Sequence, residues 1–381
     1  MAAHQKFTLK SLVLYFLKLG ATGFGGPVAL INYMERDLVE KRPWIKKEEF
    51  IEGLALAQLA PGPVATQLAI YLGWVKGGVK GATLSGIAFI IPSFLICVAL
   101  ALIYLHFSEL HWIQSLFYSV GAAVIGIIIN SAYKLVRKTA AQDWLLLSIW
   151  GISALFTAWF ESESLWIFLG AGIVSLLLRT QFNFKTGVAS IALLPVWAAS
   201  GLHGPTKPEV LWDIAKFFTK AGAFVFGSGF AIVPFLYSGV VQEHHWLNER
   251  QFIDAVAVAM ITPGPVVITV AFIGYLTAGL LGALVAACGT FLPCYLFTVL
   301  PAPYYSSFSK NKKIKAFIEG VTAAAIGAIA GATWVLGKRT IVDIPTALIA
   351  VATLLVLIKT KIPEPLLIVV AAVAGLLLKG F

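Results

Sequence analysis

Charge is scarce in this chain. Asp, Glu, Lys and Arg make up 12% of its 381 residues, where a soluble domain carries about 25%. That shortage argues against an ordinary water-facing surface. Cysteine is scarce as well. Cys97, Cys288 and Cys294 all lie in apolar stretches, without ligand spacing or a secretory framework, so neither a zinc site nor a structural disulfide is expected. No Ser-His-Asp set, no paired catalytic acids and no phosphate-binding loop emerge, so the pattern is not that of an enzyme and no cofactor is expected. His244 and His245 read as a solvated loop, not a metal site. What the chain does have is apolar length. Hydrophobic residues are 59% of it, mean hydropathy is +0.88, and apolar runs near 20 residues recur from end to end. The fold class this implies is an all-α polytopic membrane protein.

The net charge of +10 does not point to nucleic acid. Lys and Arg cluster in short loops between apolar runs, the inside-loop pattern of a protein embedded in a lipid bilayer. The first 27 residues have a basic start and an apolar run, but Lys18 interrupts the run and no small-x-small cleavage site clearly follows. They read as a retained first segment and not as a signal peptide.

The chain repeats itself. At a shift of 202, Pro61-Gly62-Pro63 aligns with Pro263-Gly264-Pro265, and Lys18, Gly20, Phe24-Gly25 and Trp44 align with Lys220, Gly222, Phe226-Gly227 and Trp246. After a one-residue slip, Gly73, Gly81, Pro92 and Ile125-Gly126 meet Gly274, Gly282, Pro293 and Ile326-Gly327. Two copies are expected, over 1–187 and 208–381, joined by a segment at 188–207. Each holds about six apolar segments, and the short run at 188–200 makes the total 12 or 13.

Charge bias assigns the copies opposite orientation. The loop 36–47 carries Arg36, Lys41, Arg42, Lys46 and Lys47, while its partner at 238–249 carries no Lys or Arg. Conversely, 106–112 has none and 306–315 has four. One pair disagrees: Lys134, Arg137 and Lys138 are matched by Lys338 and Arg339. Weighting the long loops gives two inverted-topology repeats, an architecture shared by many secondary transporters.

Each copy opens with two irregular segments. One has a glycine-rich break, Gly25-Gly26 in the first copy and Gly227-Ser228-Gly229 in the second; the other has the Pro-Gly-Pro (PGP) motif. Proline removes a backbone N–H and clashes with the preceding turn. Freed backbone groups in lipid must be satisfied by protein or by a wet cavity. Broken or re-entrant helices are therefore expected at both motifs. The half-helices at 52–60 and 64–74 are each about 15 Å long, half a bilayer. Basic residues at both ends of that segment favour a hairpin over a full span. A helix starting near Val64 or Val266 would present free N–H groups and a positive dipole end to an anion. Kinks that only shape the bundle are the plainer reading of a single motif; the doubling favours a binding element. Gln58, Thr66, Gln67, Thr262 and Thr269 lie close enough to hydrogen-bond an oxyanion or to cap a helix. Lys18 and Lys220 are candidate positive charges, or else snorkel to the surface. Glu52 and Asp254 either stabilise a helix start or carry a coupling proton. Gly73-x-x-x-Gly77 and Gly327-x-x-x-Gly331 allow close helix packing, which leaves a homodimer open.

The set "FGGP", "APGPVATQLAIYLGW", "GGVKGATLSGIAFIIPSF", "FGSGFAIVPFL" and "ITPGPVVITVAFIGY" resembles the chromate ion transporter family in its two-domain form, over essentially the whole chain. The resemblance implies a multi-pass protein of the inner (cytoplasmic) membrane that exports chromate, driven by the proton motive force, and confers chromate resistance. Sulfate, a similar tetrahedral dianion, is the rival cargo. The resemblance assigns no residue roles. An oxyanion channel on the same architecture is the alternative mechanism.

Overall fold

A computed structural model describes residues 7–24, 26–107, 111–140, 143–161, 165–179, 208–224, 232–304, 312–360 and 362–379. Among these the chain is helical, with no strand. The first copy contributes α1 (Leu9–Thr22), α2 (Gly26–Met34), α3 (Lys47–Leu59), α4 (Val64–Phe107), α5 (His111–Thr139), α6 (Trp144–Phe160) and α7 (Leu165–Arg179). The second contributes α8 (Pro208–Phe224), α9 (Ile232–Tyr237), α10 (Glu249–Ile261), α11 (Thr269–Val299), α12 (Lys312–Thr340), α13 (Ile344–Lys359) and α14 (Glu364–Lys379). The order repeats element by element, down to a π-helical turn after α2 (Glu35–Lys41) and another after α9 (Ser238–Glu243). The joint at 188–207 lies outside the described residues.

Local chemistry sets many of the helix starts. Thr8 caps α1, accepting from the Ser11 amide. Asn248 and Gln251 form a capping box on α10. Asp143 and Asp343 cap the matched helices α6 and α13. Each such cap satisfies an N–H that has no partner inside its helix.

The first two apolar segments of the first copy both double back. Tyr15 O–H donates to the Tyr33 carbonyl at 3.1 Å, so α1 and α2 run antiparallel about residue 24. The chain therefore reverses between α1 and α2, at the glycine-rich motif where a broken or re-entrant helix is expected. A second reversal centres on Gly62. Lys76 Nζ reaches Glu49 Oε2 at 2.8 Å, Tyr71 O–H reaches Glu52 Oε2 at 3.4 Å, and Gly53 lies against the Tyr71 ring. The expected hairpin at the PGP motif is what the chain forms.

A third reversal divides α4. As one rod its 44 residues would be about 66 Å long, twice the ~30 Å hydrocarbon core. Gly77 and Gly78 break it. Gly78 has φ +56° and ψ −147°, a conformation essentially restricted to glycine. The short arm 64–76 folds back on the long arm 79–107, with Gly73 against the Gly81 carbonyl and Ile70 against Gly86. α11 breaks the same way at Ala278 and Gly279, whose φ is +62°.

α1 lies along the long arm of α4, and α8 along α11. Gly20 and Gly222 make the approach possible, since a Cβ there would run into the carbonyls of Phe89 and Thr290 respectively. The last helices of each copy are exchanged. α6 and α7 pack on α12, while α13 and α14 pack on α5. Ser153 Oγ and Ser175 Oγ each donate at 2.7 Å to α12 carbonyls, of Ala324 and Ala316. Gly327 and Gly331, read as open to a partner, are occupied by α6, and Gly73 by its own hairpin. Matched polar clusters tie the exchanged helices. Arg179 pairs with Asp143 and Glu319. At the corresponding positions, Lys379 stacks over Tyr118, which donates to Asp343.

Among the described residues, four helices are long and apolar enough to cross a membrane: Val64–Phe107, Gln114–Arg137, Val266–Tyr304 and Lys315–Thr340; α6, α7 and α13 are apolar but shorter. Trp144, Trp159 and Trp166 stand exposed at the ends of α6 and α7, where tryptophans meet a membrane–water interface.

Candidate oxyanion site at the two PGP turns

The two PGP turns meet the opposite copy at matched positions. Gly62, at φ +137°, is packed so that a Cβ would lie 3.1 Å from Cys294 Sγ on α11. Gly264, at φ +95°, abuts Ser93 Oγ on α4. Ser93 and Cys294 each follow the repeat-matched prolines Pro92 and Pro293. The Gly264 amide donates to the Gly23 carbonyl at 2.9 Å, and Ser93 Oγ donates to the Gly20 carbonyl at 3.2 Å. The PGP turn of the second copy thus sits on the glycine break of the first. Gly26 opens α2 at φ +73°, with Glu364 Oε2 close by. Gly25, Gly227, Ser228 and Gly229 lie outside the described residues.

After the first turn, the Pro63 carbonyl accepts the amides of Thr66 (2.9 Å) and Gln67 (3.0 Å), so Val64 and Ala65 head the helix. Gln67 Nε2 donates to the Pro61 carbonyl at 2.8 Å. Thr66 and Gln67 are both fully buried. Thr66 Oγ1 and Gln67 Oε1 have no hydrogen-bond partner. Buried polar atoms are nearly always paired, and an orphan costs about 1–3 kcal/mol. The orphaned Thr66 hydroxyl can donate to an anion beside the helix start, whereas the orphaned Gln67 carbonyl oxygen can only accept. After the second turn the hydroxyls turn inward on the backbone: Thr262 Oγ1 donates to Val258 O at 2.7 Å, and Thr269 Oγ1 to Val266 O at 2.8 Å. Both hydroxyls donate to their own helix backbone, and Thr262 Oγ1 also accepts a weak 3.7 Å hydrogen bond from Cys97 Sγ on α4.

The remaining expected residues divide. Gly62 meets Cys294 on α11, and Gly264 and Thr262 meet Ser93 and Cys97 on α4; Pro61, Pro63, Pro263 and Pro265 flank these glycines, and Thr66 lies in the first turn after Pro63. Gln58 is exposed on α3. Lys18 and Lys220 are exposed on α1 and α8, and no described contact joins either to a PGP turn. Glu52 is exposed, whereas its match Asp254 is 3% exposed and accepts a 2.7 Å hydrogen bond from Tyr104 O–H. Sequence reasoning missed Ser93, Cys294 and Tyr104. The first two carried a signal, each following a repeat-matched proline; Tyr104 carried none.

The sequence profile described as "Chromate transporter" matches this chain twice, over residues 10–176 and 212–376. The chromate transport protein of Cupriavidus metallidurans is 58% identical over 373 residues, covering 97% of this chain and 93% of that protein. The probable chromate transport protein of Synechococcus elongatus is 55% identical over 383 residues, 98% and 96% of the two chains. The chromate transport protein of Pseudomonas aeruginosa is 28% identical over 379 residues, 94% and 90%. No solved structure matches the chain.

Proposed function

This chain belongs to the chromate transporter family, a family of membrane transporters and not of enzymes, and from that premise we propose that it exports chromate across the inner membrane by alternating access between two inverted copies. The observation that carries the mechanism is the reciprocal seating of the two PGP turns on the opposite copy, with unequal burial of their hairpins. α3 buries one face, through Phe50, Gly53, Leu56 and Ala57. α10 is buried at Phe252 and at every residue from Asp254 to Met260. A transporter with one hairpin packed and the other loosened is closed on one side and open on the other. The inversion is supported by where the hairpin bases lie relative to the two ends of α4's long arm. The α3 base joins Lys76, next to the Gly77–Gly78 break, and the α10 region joins Tyr104 near the far end.

The cargo is a tetrahedral dianion, chromate ahead of sulfate. It binds between the copies on the helix starts at Pro61-Gly62-Pro63 and Pro263-Gly264-Pro265, with the Thr66 hydroxyl as donor and the glycine breaks at Gly25-Gly26 and Gly227-Ser228-Gly229 alongside. Broken helices whose N-termini face an anionic group near mid-membrane are a recurrent transporter device. Lys18 and Lys220 supply long-range positive charge in this scheme, Gln58 lines the approach, and Glu52 and Asp254 carry the coupling proton in turn. The test is radiolabelled chromate and sulfate flux in proteoliposomes, with and without an imposed pH gradient. Uphill chromate movement is expected. Purely downhill flux would make the protein a channel. Unimpaired chromate export by Lys18→Ala and Lys220→Ala, at equal protein level, would remove the lysines from the scheme.

A further inference from the structure

A cavity of about 670 Å³ opens at the base of α10, between α5, α12 and α14. That volume is within the usual range for a small-ligand site. It is separate from the PGP turns, at the opposite end of α10. Three cations line it: Arg250, Arg339 and Lys379. Two carboxylates also line it, but both have partners. Glu249 is held by Arg339, and Asp254 accepts from Tyr104.

The cations differ in what they have left to offer. Arg339 is bound on both sides, by Glu249 and by Glu161. Lys379 sits 3.8 Å over the Tyr118 ring, and its backbone carbonyl is anchored by Ser115 Oγ at 2.9 Å. Arg250 is exposed and makes no close ion pair among the described residues, though its field reaches the Asp254 carboxylate four residues on. A free guanidinium in a concave polar site matches the oxygens of an oxyanion, which it can engage in a two-pronged contact. The wall also carries a polar atom without a partner: Thr340 Oγ1 is buried and has no hydrogen bond. Gly121 brings α5 against both Ile253 and Thr340, so a Cβ there would press on two sides of the wall.

We propose that this cavity is a second oxyanion site, in which Arg250 holds a tetrahedral dianion at the α10 face of the protein, apart from the site between the PGP turns. Lys379 contributes charge and Thr340 a hydroxyl. The ligand class rests on the transport reading above. The site itself rests on the cavity, the unpaired arginine and the orphaned hydroxyl.

Equilibrium binding of radiolabelled chromate and sulfate to the purified full chain tests it, alongside flux in proteoliposomes. Wild type is expected to show two classes of binding. Arg250→Gln weakens one class about tenfold, the size of one lost charge-assisted contact, and leaves the other unchanged. Arg250→Lys restores part of the loss. Because Arg250 is exposed, neither change threatens folding. One class of binding in wild type, or unchanged affinities in Arg250→Gln, overturns the inference. The two readings fail separately. Arg250-dependent binding without any flux leaves the cavity site standing and sinks transport. Flux with Arg250-independent binding does the reverse.

Discussion

The two PGP hairpins are built from matched sequence and sit in different surroundings. α3 carries Ile51 at 53% exposure and an exposed Glu52, and among the described residues it packs mainly on its own α4 and the preceding π turn. α10 packs on α5, α11 and α14 and hides Asp254. Sequence symmetry therefore does not impose equal burial. In the transport scheme proposed above, such inequality is one of two arrangements related by the repeat, and alternating access requires the other to lie within a few kcal/mol of it.

The largest effect that should separate the hairpins is at the turns. Gly264→Ala places a Cβ on Ser93 Oγ at a left-handed φ, and should cost ~3 kcal/mol or more by thermal unfolding in detergent. Gly62→Ala meets the movable end of Gln67 first and should cost less, ~1–2 kcal/mol. Equal losses would break the comparison. Next come the tyrosines. Tyr104→Phe strands the buried Asp254 carboxylate and should cost about 1–3 kcal/mol. Tyr71→Phe, whose partner Glu52 is exposed and 3.4 Å away, should cost under ~0.5 kcal/mol.

The smallest effect is a pH dependence at the base of the α3 hairpin. Burial alone would raise the Glu49 carboxyl, but the Lys76 ammonium and the Lys46 amide outweigh it and hold it below the ordinary range. A carboxyl depressed on folding stabilises fully above its unfolded value of ~4.3 and loses that contribution as pH falls through its folded value. Glu49→Gln should therefore lower stability at pH 7 by ~1 kcal/mol at most. The difference from wild type should vanish in strong acid. A wild-type-minus-mutant difference that grows on acidification would contradict the pairing.

The repeat was legible because its punctuation is distinctive: PGP twice, Pro92 and Pro293, Gly20 and Gly222. The hairpin at PGP was legible because half-bilayer lengths and basic residues at both ends leave little alternative. At the glycine-rich motif the sequence signalled an interruption, but not whether the chain turns back there or goes through. The glycines announced close contacts without naming the partner, so Gly327 and Gly331 left a homodimer open while the chain spends them on α6. Unequal burial of Glu52 and Asp254 had no sequence signal at all, because matched positions carry matched residue types. Tyr104, 150 residues from its partner, belongs to the same class: only the packing of α4 against α10 brings the two together.

The central claim is that the hairpins exchange burial. Paired spin-label distances measure it most directly, with one pair at Glu48 and Lys315 across α3 and α12, and one at Gln251 and Gln114 across α10 and α5. On adding chromate, a population should appear in which the α3–α12 distance shortens while the α10–α5 distance lengthens. Distances that stay fixed, or that shorten together, would contradict alternating access by exchange of the two hairpins.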